Sequence, residues 1–362
     1  MELRAPWVEL SQSGQSWQAI FACQFCVQPF ETLQKNRWGF NAAALLAEAL
    51  DRQKLFIESQ FHGNPLREPS QNAHTLALRV TRIPGEGLLL ALVGTVKAPR
   101  QEEARANALE YCNELTSTFP HDYTIHPATT QQAFDKLTGQ ELLANCQSGQ
   151  SMAQLLRFEK QIRTQNGLAY VNGFWQTSDR SDEQTWRMLG NYPRPAMLSI
   201  SLQPAILEGN ERQFLWDMKT VSVPFENISQ MHPAQPFDKW VEPFIERRLN
   251  PWKRYYLMQV HLLCPAGVTD SLARPIGAAM TRENDSLLSP GFLTVHPAND
   301  LTAREWRAGL ERLEIAPTHF NPSSLSRLSD LADLGEVHSV FRLPYPPEAG
   351  LPGVEFIGPL EQ

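Results

Sequence analysis

The chain has 362 residues, of which 42% are hydrophobic and 20% charged; this excludes a disordered protein and leaves room for two domains of ordinary size. A formal net charge of −7 excludes a global attraction to nucleic acid or to an anionic membrane, leaving only a local basic patch for either. The five cysteines (23, 26, 112, 146 and 264) are too sparse for a disulfide framework, and the clearest apolar run, Gly87–Val96, is shorter than the about 20 residues of a membrane span.

Trp17–Val27 reads as a strand, rich in aromatic and apolar residues and stopped by Pro29. Residues 41–59 read as a helix with Asn41 as its N-cap and Leu45, Leu46, Ala49 and Leu50 at helical spacing. His74–Ile83 alternates like a half-buried strand, Pro84-Gly85-Glu86-Gly87 signals a turn, and Leu88–Val96 is a buried strand that should pair back as a hairpin. Residues 100–117 place Ala104, Ala108, Tyr111, Cys112 and Leu115 on one side of a helix, and a strand at 122–126 follows. This order predicts an α+β fold in which helices cover one face of a mostly antiparallel sheet.

Further along, Gly149, Gly167, Gly173 and Gly190 punctuate the chain, with strands expected at Leu168–Trp175 and Ala196–Leu202. A proline-bearing insert, 205–252, should hold one short helix at 237–249, broken near Pro243. After Arg254 come three candidate strands, Tyr255–Cys264, Pro275–Thr281 and Phe292–Val295, then a helix at Thr302–Leu313. A last helix, Ser323–Leu334, should end at Gly335 as its C′ residue. Thr124–Ala128 and Val295–Ala298 with the preceding Thr294 share Thr, a β-branched residue, His, Pro and Ala in register, each before a helix, which points to an internal duplication. The expected organisation is an N-terminal α+β lobe (1–146), a middle segment with the insert (147–253), a second related α+β lobe (254–334) and a Pro/Gly-rich tail (335–362).

A P-loop needs a lysine directly after a glycine to reach the terminal phosphates, and none of the eight lysines follows one. Cys23-Gln24-Phe25-Cys26 has redox spacing but lies in a strand pattern, where the two thiols point to opposite faces; no second such pair exists to complete a zinc site, and His121 and His126 are far down the chain. His126 and His296 each precede a proline at a strand-to-helix turn, so a capping role competes with that of a symmetric pair of ligands or bases. Phe174-Trp175 and Trp186 suit a core or a domain interface, or a stacking platform. Residues 246–256 mix basic and aromatic groups, a combination that fits single-stranded nucleic acid, a protein hot spot or merely a solvated helix end. No catalytic, cofactor or metal constellation is recognisable.

Three stretches together resemble the region ahead of the motor in HerA-like and conjugative type IV secretion ATPases. They are Gly94–Pro120, the strand Pro193–Pro204 and the closing Glu336–Pro344, with Phe341-Arg342-Leu343-Pro344 and Pro352-Gly353 the most distinctive. In that family the last stretch leads into a RecA-like domain with the Walker motifs, which are missing here. The resemblance therefore implies a non-catalytic adaptor or assembly module, without cofactor, working with a separate, hexameric HerA/FtsK-like ATPase in DNA translocation, secretion or defence. The expected partner contacts are Arg247, Arg248, Trp252, Lys253, Arg254, Phe341 and Arg342. The alternative is a single-stranded nucleic-acid-binding protein using residues 247–256; a Cys- or His-dependent enzyme is the third reading. With no basic-then-apolar leader, the cytoplasm is the expected compartment, and a place beside a membrane complex or in an oligomer is compatible with it.

Overall fold

The computed structural model describes residues 5–28, 42–60, 74–164, 167–177, 182–228, 238–281, 291–315, 326–345, 351 and 353–360. In chain order the elements are β1 (Val8–Ser13), β2 (Ser16–Val27), α1 (Ala42–Ser59), β3 (Thr75–Ile83), β4 (Gly87–Ala98), α2 (Gln101–Thr118), β5 (Tyr123–Pro127), α3 (Gln131–Thr138) and α4 (Gln140–Asn145). Then come β6 (Met152–Arg157), β7 (Glu159–Thr164), β8 (Gly167–Asn172), α5 (Asp182–Gly190), β9 (Ala196–Ala205), α6 (Gly209–Ile228) and α7 (Asp238–Leu249). The remainder is β10 (Tyr255–Leu263), α8 (Asp270–Met280), β11 (Phe292–Val295), α9 (Asp300–Arg312), β12 (Leu331–Asp333) and α10 (Leu334–Val340). The fold is α+β. The helix expected at 41–59 is α1, while its expected cap, Asn41, lies outside the described residues.

One antiparallel sheet of ten strands runs through the chain, and β7 and β8 form a separate hairpin. The path β5–β2–β4–β3–β9–β10–β6–β11 reads the same from either end. β2 lies between β4 and β5, as β6 lies between β10 and β11. Each half has the succession of strands followed by helix, strand and helix: β2, β3, β4, α2, β5, α3 in the first, and β6, β9, β10, α8, β11, α9 in the second. β1 extends the edge at β2, and β12 pairs with β10 beside β6. The two His-Pro-Ala segments occupy matching places, each linking the outer strand of its half to a helix of the same layer.

The halves share more than was expected from their sequences. β3 pairs with β9 from Leu76↔Leu202 to Arg82↔Ala196, so two related sheets form one continuous sheet. β6 and β9, read as part of a middle segment, are strands of its second half. Helices cover both faces rather than one. Leu78, Leu92, Leu198 and Leu262 face α2, α8 and α10 in one core. On the other face Ala91 and Val93 meet Phe134 and Leu137 of α3, and Met197 and Leu263 meet Leu142 of α4 and Leu310 of α9. β3 is accordingly buried on both sides, not half-buried, and Arg79 at its middle is only 1% exposed.

Arg79 lies where the halves meet, opposite Ser199 of β9. Its guanidinium donates to the carbonyls of Thr138, at the end of α3, and Leu310, in the last turn of α9. A cation at two helix C-termini satisfies carbonyls that have no partner within the helix and opposes the negative end of each dipole. Burial nevertheless pulls the Arg79 pKa down to about 10, against the opposing charge of Glu311.

Three local expectations are corrected. Pro275–Thr281 is the second half of helix α8, because Leu272, Ala273, Ile276, Ala279 and Met280 bury at helical spacing and a window starting at Pro275 cuts that period in two. The insert holds α6 as well as α7, with Pro243 inside α7. Gly335 does not end a helix but stands in the first turn of α10, whose N-cap Asp333 and Glu336 form a reciprocal capping box. Of the helix expected at Ser323–Leu334, residues 323–325 lie outside the described residues, Ser326–Ser329 is one 3₁₀ turn and Leu331–Asp333 is β12. Among the described residues no helix is long and apolar enough to cross a membrane.

Candidate functional site

The basic–aromatic segment begins in the last turn of α7, where Arg247 and Arg248 fit the negative end of the helix dipole. The Tyr255 hydroxyl, at the start of β10, lies 2.9 Å from the Arg247 carbonyl, 3.0 Å from that of Arg248 and 3.1 Å from that of Asn250, and closes the helix end. Asn250 then turns the chain, its Oδ1 accepting the Trp252 N–H at 3.0 Å. These bonds fix the route from α7 through Trp252 into the sheet.

The positive groups of the segment are matched by carboxylates of the same chain. Glu336 is fully buried; its Oε2 lies 2.5 Å from Arg248 Nη1 and its Oε1 2.5 Å from Arg157 Nη1. Arg157 also donates to the carbonyls of Ser329 at 2.6 Å and Leu331 at 3.0 Å. Arg247 Nη2 donates to Asp333 Oδ1 at 2.8 Å, and Lys253 Nζ lies 2.5 Å from Asp333 Oδ2. Arg254 Nη1 meets Glu58 Oε1 of α1 at 2.5 Å. The capping-box residues of α10 are thus also the anions of a buried ion cluster, which ties α7, β6 and β10 to that helix. Phe174 stacks beneath it, with the Arg247 guanidinium carbon 4.3 Å and that of Arg248 5.3 Å from its ring centre.

Burial alone would raise the pKa of both acids. For Asp333 the hydrogen bond and charge of Arg247, helped by Lys253, outweigh it, and for Glu336 the charges of Arg248 and Arg157 do, so both stay below the usual carboxylate range. Removing one member of such a buried cluster strands the others, whereas the intact cluster contributes little net stability.

Of the residues expected to touch a partner, Arg248 and Phe341 have no exposed surface and Arg342 has 5%. That expectation is corrected for these three: Arg248 is spent on Glu336, Phe341 is core, and Arg342 donates through Nε to the His338 carbonyl at 3.1 Å. Arg247, Lys253 and Arg254 are partly exposed but ion-paired. Trp252 is different, with 79% of its surface in solvent. Leu55 of α1 is also exposed, at 64%.

The remaining candidates lie in the cores or along the sheet. Phe174, Trp175 and Trp186 are buried. The five cysteines are free; the Cys23 and Cys112 sulfurs lie 3.7 Å apart inside the core, and Cys26 points to the other face toward the Ile357 carbonyl. His296 Nδ1 lies 2.9 Å from the Met152 carbonyl of β6, bonding the neighbouring strand rather than its own turn, and His126 stands in β5 opposite Gln24. Among the described residues no cluster of three metal-ligating side chains occurs.

No family model matches the chain, and no curated protein matches it.

Proposed function

We propose that the chain is a non-catalytic adaptor or assembly module that works with a separate HerA/FtsK-like ATPase in DNA translocation, secretion or defence. The observation that carries the docking role is Trp252, a large apolar side chain held in water on a turn braced by Arg254–Glu58 on one side and Lys253–Asp333 on the other. A rigid aromatic anchor loses little entropy on binding, which is why tryptophan concentrates at protein hot spots. The kind of partner rests on the likeness of Gly94–Pro120, Pro193–Pro204 and Glu336–Pro344 to pre-motor sequences, together with the lack of any glycine–lysine pair for a P-loop.

The same ion pairs favour a protein partner over a single strand of nucleic acid. Phosphates would have to compete with Asp333, Glu336 and Glu58 for Arg247, Arg248, Lys253 and Arg254. The test is co-elution of the full chain with a HerA/FtsK-like ATPase encoded beside it. Trp252→Ala is expected to weaken the complex by at least about tenfold, the scale of a hot-spot truncation, with an unchanged circular dichroism spectrum. Equal retention of the variant and the parent would remove Trp252 as the anchor, and failure of the parent to co-elute would remove the adaptor reading.

A further inference from the structure

A row of polar side chains crosses the sheet where the two halves meet. Arg79 of β3 stands opposite Ser199 of β9, and Ser199 stands opposite His261 of β10. Directly opposed residues of an antiparallel ladder project on the same face. Here it is the face covered by α3, α4 and α9: Arg79 donates to the carbonyls of Thr138 and Leu310, and the His261 ring lies edge-on to Trp306 of α9 with centres 5.6 Å apart. All three residues are buried, His261 being the most exposed at 7%. Each carries a buried polar atom with no hydrogen-bond partner in the protein: Arg79 Nε, Ser199 Oγ and His261 Nδ1.

Buried polar groups are nearly always hydrogen-bonded, and three adjacent exceptions call for one shared partner from outside the chain. Room for it lies over Ser199. Neighbouring strands are about 4.8 Å apart, so Arg79 and His261 stand about two such spacings apart with only a hydroxymethyl group between them. The three groups also set the polarity of the partner. Arg79 Nε–H can only donate, the serine hydroxyl can turn to donate, and the single proton of a neutral imidazole can sit on Nδ1. Burial and the charge of Arg79 keep the His261 ring neutral, with a pKa of about 4. A water molecule would serve these polar atoms but would leave the Arg79 charge unmatched. The Thr138 and Leu310 carbonyls oppose that charge only as dipoles; among the described residues no carboxylate pairs with it, and Glu311 acts on it from a distance. A buried charge without a counter-ion is costly. A space one side chain wide suits a monatomic anion rather than a phosphate.

We propose that Arg79, Ser199 and His261 form a chloride site, in which the ion accepts hydrogen bonds from Nε, Oγ and Nδ1 and serves as counter-ion to the guanidinium. The site belongs to the folded chain alone, because strands β3, β9 and β10 bring its three groups together across 182 residues of sequence. An ion bound only by the folded state raises stability as its concentration rises. Arg79 also joins α3 to α9, so the ion ties the cohesion of the two halves to the halide concentration. The inference is independent of the adaptor reading.

The test follows the thermal midpoint of the full chain in sodium chloride and in sodium gluconate at equal ionic strength, and soaks crystals of the chain in sodium bromide. The midpoint should rise with the logarithm of chloride concentration, by about 2 °C per tenfold near saturation, and stay level in gluconate. Bromide should give an anomalous peak over Ser199, within hydrogen-bond reach of Arg79 Nε and His261 Nδ1. Ser199→Val removes the hydroxyl and fills the space with a side chain that strands favour, and should abolish the chloride dependence. The bromide peak is read in the parent chain, so it decides the matter where Ser199→Val does not fold. Equal midpoints in the two salts, crystals without a bromide peak at this place, or a chloride dependence that Ser199→Val leaves unchanged would each overturn the proposal.

Discussion

Two histidines give the fold a defined response to acid. Burial, then the charge of Arg79, lowers the His261 pKa from 6.5 to about 4. Burial, then Arg342 and Lys54, lowers that of His338 to about 4 as well, against the opposing effects of the Leu50 carbonyl and Asp51. In the unfolded chain both rings protonate near 6.5, so between 6.5 and 4 the unfolded state binds more protons and stability falls as the pH falls. Asp333 and Glu336, whose folded pKa values are depressed, add a loss that begins only near their unfolded values of about 4. Urea midpoints measured from neutral pH downward should decline from about pH 6.5, and His338→Gln should reduce the slope by about one proton. The glutamine amide can keep the bond to the Leu50 carbonyl, so an unchanged slope would mean that His338 does not titrate differently in the two states. None of this is legible in the sequence, because the environment of His338 is assembled by α1 packing on α10.

The helices show how local signals were both used and misread. The apolar stripe of α2 appeared in full because its period is complete and uninterrupted. The start of α10 carries an equally clear signal, Asp333-Leu334-Gly335-Glu336, but a glycine after a polar-flanked run also fits the end of a helix. In α8, Gly277 decides how closely the helix lies on the sheet edge: a Cβ there would come within 2.5 Å of the Phe292 ring of β11. Alanine at this position improves helix propensity by about 1 kcal/mol, whereas overpacking a filled contact costs about 1–3 kcal/mol. Gly277→Ala should therefore lower the thermal midpoint, and Phe292→Ala in the same chain should recover part of the loss. A more stable Gly277→Ala variant would show that the ring moves aside at little expense.

The two halves unfold together if the β3–β9 ladder and the Arg79 contacts to α3 and α9 hold them as one body. Hydrogen exchange of the central amides of β4 and β10 should then report the same opening free energy and the same denaturant dependence. Different values for the two strands would mean that the halves open separately and that the seam is weak. The recurrence of a strand, His-Pro-Ala and a helix was readable, since Thr124–Ala128 and Thr294–Ala298 match in register. The α+β class was also readable, because strand alternation and helical period are properties of neighbouring residues. Charges, by contrast, have partners remote in the chain. Arg248 and Glu336 are 88 residues apart and Arg254 and Glu58 are 196 apart, so a basic run that looked open to phosphates is closed by acids that no local pattern connects to it. The joining of two sheets into one, the covering of both faces and the exposure left to Trp252 likewise arise from contacts between segments far apart in the chain, where periodicity and propensity carry no information.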